Sequence, residues 1–97
     1  MKAREAMEAR KLNATIWADE TLAAAEMRLE WIIDDLGRAA EYLDTCERPG
    51  DAREIEWLRS LLEAAMEKLQ PLLKRARRPA EKALKEREGI LNRDAKT

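Results

Sequence analysis

The sequence predicts an all-α fold: an antiparallel helical hairpin of two long helices plus a short third helix, dimerising into a helical bundle. Three observations carry this. Apolar residues recur at alternating steps of three and four through Leu22, Ala25, Leu29, Ile32, Leu36, Ala39, Leu43 and Cys46, a heptad seam. A second seam of the same period runs through Ile55, Leu58, Leu62, Ala65, Leu69, Leu72 and Ala76. Charged residues make up 40% of the 97, Phe is absent, and Gly and Pro number three each, the profile of long helices rather than of sheets. A chain of this length forms a single helical domain, 1–97, with a small core.

Helix one is expected over 3–46 or 15–46. Ala3 and Met7 lie on the main seam, but Leu12 and Ile16 fall off it by roughly 80–120° if the helix is straight. The helix therefore either restarts near Thr15, with Asn13 or Thr15 as N-cap, or runs through with a local irregularity. Ile33 and Ala40 widen the seam. Gly37, inside the helix, costs about 1 kcal/mol against Ala and leaves room for a close neighbour.

The turn is expected at 47–51. Pro49 cannot continue the first helix, and Gly50 is free to take a positive φ. Asp51 with Glu54 has the form of a capping box, which starts helix two at about 52. So short a loop makes the two helices antiparallel neighbours.

Helix two should run to about 77, kinked near Pro71, with Leu61, Met66 and Leu73 widening its seam. Pro79 suits the first position of a third helix over 79–92, whose thin apolar stripe runs through Ala80, Ala83, Leu84, Arg87 and Leu91. Residues 92–97 should fray.

The net charge of −1 conceals an asymmetry. Residues 13–73 hold six basic against fourteen acidic side chains, whereas 74–97 hold nine against four. No apolar run is long enough to span a bilayer, and the first twelve residues lack the apolar core of a secretory leader. One cysteine forms no internal disulfide. A cytoplasmic protein is the expectation.

Catalytic chemistry is thinly provided for. With no histidine, the usual general base and the commonest metal ligand are missing, and with them a Ser triad or a Cys–His pair. Glu41, Asp44 and Glu47 read as a solvated acidic edge near the turn rather than a metal site, since Mg²⁺ needs oxygens converging from more than one element. Residues 37–43 stay in one helical register, so they lack the turn of a helix-turn-helix. No enzyme activity, cofactor, metal or small-molecule substrate is expected. Cys46 reads as a packed seam residue.

Two features remain. Trp17, Met27, Trp31 and Tyr42 fall opposite the first seam, and Trp57 opposite the second. Tryptophan is the residue most enriched at interface hot spots, so these five are the candidate partner-binding residues. They imply a small non-enzymatic adaptor, chaperone or inhibitor that forms a homodimer or docks another protein. The alternative is nucleic-acid contact through Lys74, Arg75, Arg77 and Arg78, whose cations suit phosphates but lack an interleaved aromatic. An acidic middle that imitates nucleic acid and inhibits a basic-grooved protein is the remaining reading.

Overall fold

A computed structural model describes residues 2–95, with side chains over 3–90. Helix α1 spans Lys2–Thr45 and helix α2 spans Pro49–Ala95; the described residues contain no strand. None of the helices is long and apolar enough to cross a membrane. The chain divides into two compact units, 24–71 and the paired segments 1–23 with 72–97.

In unit 24–71 the two helices form a hairpin. Cys46 N donates to Tyr42 O at 3.0 Å, Glu47 N to Asp44 O at 3.1 Å and Arg48 N to Leu43 O at 2.8 Å. The last two bonds are those of a Schellman C-cap, which needs a left-handed residue between them. Glu47 fills that place with φ 61°. The expectation that Gly50 takes the positive φ is therefore corrected: no glycine does. Ala52 N then donates to Arg48 O at 3.1 Å, so Arg48 is the N-cap and Pro49 the first helical residue. Asp51 is corrected from N-cap to the first turn, where its carboxylate accepts from Arg48 Nε at 2.7 Å. A proline whose missing N–H is no loss there sets the start three residues earlier than Asp51 as N-cap would.

The packed line of α1 in this unit runs through Glu26, Leu29, Ile33, Leu36, Ala40 and Leu43. That of α2 runs through Ala52, Ile55, Arg59, Leu62, Met66 and Leu69. Both keep the three–four alternation, but half of each expected seam has moved by one residue. Leu29, Leu36 and Leu43, and Ile55, Leu62 and Leu69, pack as expected. Ile32, Leu58 and Ala65 do not; Ile33, Arg59 and Met66 stand in their place. Cys46 is likewise exposed rather than packed.

The second unit pairs the first half of α1 with the second half of α2. Ile16, 2% exposed, is the largest fully buried side chain among the described residues, and Ala80 and Ala83 are buried in the same unit. Enclosing an isoleucine contributes about 1.5–3 kcal/mol. Arg87 Nη1 donates to Asn13 Oδ1 at 3.5 Å across the pair. Neither Asn13 nor Thr15 caps a helix: α1 is unbroken, and Thr15 Oγ1 donates back to Lys11 O at 2.7 Å. The phase slip at Leu12 and Ile16 marks a change in which side of α1 is covered, not a break.

The separate third helix is also corrected, because α2 is continuous through Pro71 and Pro79 to Ala95. An interior proline removes one backbone bond and crowds one carbonyl. Packing at Ala76, Ala80, Ala83 and Arg87 carries the period straight over Pro79 and holds the helix together. The backbone expected to fray is helical through Ala95, whereas the Leu91 side chain and residues 96–97 lie outside the described part.

Candidate functional site

In unit 24–71, one broad side of the hairpin is acidic. Glu30, Ile33 and Asp34 line an open groove with Glu63 and Met66, and Asp34, Gly37, Arg38 and Glu41 line the next with Glu56 and Arg59. Arg59 lies among these carboxylates. Its Nη1 is 3.6 Å from Glu56 and its Nε 3.5 Å from Glu63. The Nε is enclosed and makes no well-aligned hydrogen bond. Among the described residues no cluster of acids, cysteines or histidines has the form of a metal site.

The opposite broad side is apolar. Ile32, Leu58 and Leu61 each stand two residues from an acidic-side glutamate (Glu30, Glu56 and Glu63). That spacing turns them roughly 160° around the helix. They are 46%, 44% and 49% exposed. Sequence reasoning placed Ile32 and Leu58 inside the hairpin and so missed this face; its signal was an apolar stripe wider than one neighbour can cover.

The outward edges carry the aromatic residues. Trp31 is two residues from packed Leu29, and Trp57 two from packed Arg59, so each points away from the other helix. Trp31 is 62% and Trp57 64% exposed. Met27 and Tyr42 share the α1 edge with Trp31 and are exposed too. Beside them Arg38 pairs with Asp35, a hydrogen bond that raises the guanidinium above its ordinary value. Trp57 lies on the far edge of the hairpin, so the structure does not bring the predicted set together as one patch. Trp17 is exposed in the other unit. No described part of the chain covers any of the three tryptophans.

The basic candidates Lys74, Arg75, Arg77 and Arg78 are all exposed on α2. Since the helix continues past Pro79, Lys82 and Lys85 fall on the same outward line as Lys74 and Arg78, at steps of four, four and three.

The architecture is thus that of an all-α protein built from two long helices, with large apolar side chains left outside its packed seams. Comparison with protein-family models, curated proteins and solved structures returns no match.

Proposed function

We propose that this chain is a non-enzymatic protein–protein interaction module, an adaptor, chaperone or inhibitor, that docks another protein on the α1 edge formed by Met27, Trp31 and Tyr42. The observation that carries the reading is the exposure of Trp31 on a line with two other large side chains, uncovered by the other described residues. A tryptophan in water forfeits the burial that makes it the commonest hot-spot residue. Arg28, Asp35 and Arg38 beside it supply the polar rim of a buried patch. Trp57, on the far edge of the same hairpin, and Trp17, exposed in the other unit, offer secondary contacts. A benzophenone side chain at Tyr42 should photo-crosslink a discrete protein in an extract of the native source, while the same group at Asp34 on the acidic side should not. Equal adducts at both positions, or none at Tyr42, would remove the reading.

A second reading is favoured by the aligned Lys74, Arg78, Lys82 and Lys85, which space cations along about 16 Å of helix. That line suits a nucleic-acid backbone. Affinity that falls steeply with salt on both single- and double-stranded nucleic acid would support it.

A further inference from the structure

We propose that the apolar broad side of unit 24–71, centred on Ile32 and Leu61, is the seat of a second copy of this chain, and that two hairpins pack there as an antiparallel four-helix bundle. This side adjoins the Trp31 edge and shares Arg28 and Asp35 with its rim, but the proposal stands without the docking reading.

The first argument is one of angle. On α1 the apolar heptad positions (Leu29, Ile32, Leu36, Ala39, Leu43) point about 50° away from the line that packs on α2, by 100° per residue. On α2 the positions Leu58, Leu62, Ala65 and Leu69 are offset by about the same angle and toward the same broad side. In a four-helix bundle each helix has two adjacent neighbours roughly at right angles, so its apolar stripe points between them, about 45° from either. Both helices are therefore patterned for one neighbour inside the hairpin and another across its apolar side.

The second argument is area. Twenty-three residues of helix span about 33 Å, and two helices side by side cover a width of about 20 Å. The face offers roughly 650 Å² per copy, about 1,300 Å² in all, within the range of a stable specific interface.

The third argument selects the occupant and its direction. Gln70 Nε2 donates to Glu26 Oε2 at 2.6 Å, and Arg59 lies against Gly37, so Arg28 stands level with Lys68 across the hairpin. Arg28 and Asp35 are seven residues apart on the rim of the apolar side. Two copies with their turns at the same end lay α1 over α2 and set Arg28 beside Lys68 twice. With turns at opposite ends, α1 lies over α1, and each Arg28 meets the other copy's Asp35, two such pairs flanking the two-fold axis near Ile32. The face is self-complementary in that arrangement, as an isologous dimer requires.

Sedimentation equilibrium of the full chain should give twice the 11.2 kDa chain mass. Ile32→Glu and Leu61→Glu, at positions already exposed in one chain, should keep their helical circular dichroism and raise the dimer dissociation constant at least about 30-fold, a hot-spot effect. Arg28→Asp and Asp35→Arg should each weaken the dimer, and the double variant should restore it. Should either glutamate variant unfold, orientation gives an independent readout. In a Cys46→Ser background a short bismaleimide should join Ile32→Cys into a covalent dimer and leave Tyr42→Cys monomeric. A chain that is monomeric at every concentration overturns the proposal. So does a dimer that survives both glutamate substitutions, or one that only Trp31→Ala dissolves.

Discussion

The guanidinium carbon of Arg59 lies 3.3 Å from the point where a side chain on Gly37 would begin. Glycine in mid-helix is disfavoured by about 1 kcal/mol against alanine, so this position gives up backbone stability to seat the arginine. The obstructing atoms are the far end of a flexible side chain, and its ion pairs with Glu56 and Glu63 are partly solvated. Gly37→Ala should therefore stabilise the hairpin by about 0.5 kcal/mol, read as a higher thermal midpoint. Gly37→Leu must push the guanidinium away from both carboxylates and should lower it.

Glu47 holds the left-handed C-cap of α1 with a side chain that disfavours that conformation. Left-handed backbone costs an L-residue about 1–2 kcal/mol, and glycine escapes the penalty. Glu47→Gly should stabilise the chain by about 0.5–1 kcal/mol, part of the gain being lost to the freer unfolded chain. Urea unfolding would show it as a raised midpoint with unchanged slope.

Asp51 lies in the first turn of α2 rather than at its cap, and its pair with Arg48 is exposed. Asp51→Ala should cost about 0.3–1 kcal/mol, the worth of a carboxylate near a helix N-terminus. A loss near 2 kcal/mol would restore Asp51 as the N-cap.

The heptads made the hairpin legible in the sequence, and Leu29, Leu36, Leu43, Ile55, Leu62 and Leu69 pack as their spacing predicts. Spacing gives the centre of an apolar stripe, not the number of neighbours that share it. Spacing alone therefore puts Ile32 and Leu58 on the inside, although Ile33 and Arg59 occupy it. Pro79 reads as a boundary because a proline's local cost is visible in sequence, whereas the burial of Ala80 and Ala83 that outweighs it is tertiary. The strain at Glu47 was hidden by a glycine three residues on. The exposure of the tryptophans is legible residue by residue, since periodicity places each opposite a seam. Periodicity does not show that Trp31 and Trp57 leave the hairpin on opposite edges.

Ile16 should be the most sensitive position in its unit. Ile16→Ala is expected to cost about 2–5 kcal/mol, as enclosed large-to-small changes do. Asp34→Ala, on the solvated acidic side, should stay within about 0.5 kcal/mol. Equal effects would mean that the second unit does not pack as described.

The functional reading turns on Trp31, and one titration tests it most directly: the affinity of Trp31→Ala for the protein crosslinked at Tyr42, measured at matched helicity beside Leu29→Ala. Trp31→Ala should keep its helical circular dichroism and bind at least about 30-fold more weakly, whereas Leu29→Ala should lose stability by about 2–5 kcal/mol. Unchanged affinity in a folded Trp31→Ala, or unfolding as severe as that of Leu29→Ala, would contradict a docking role for this edge.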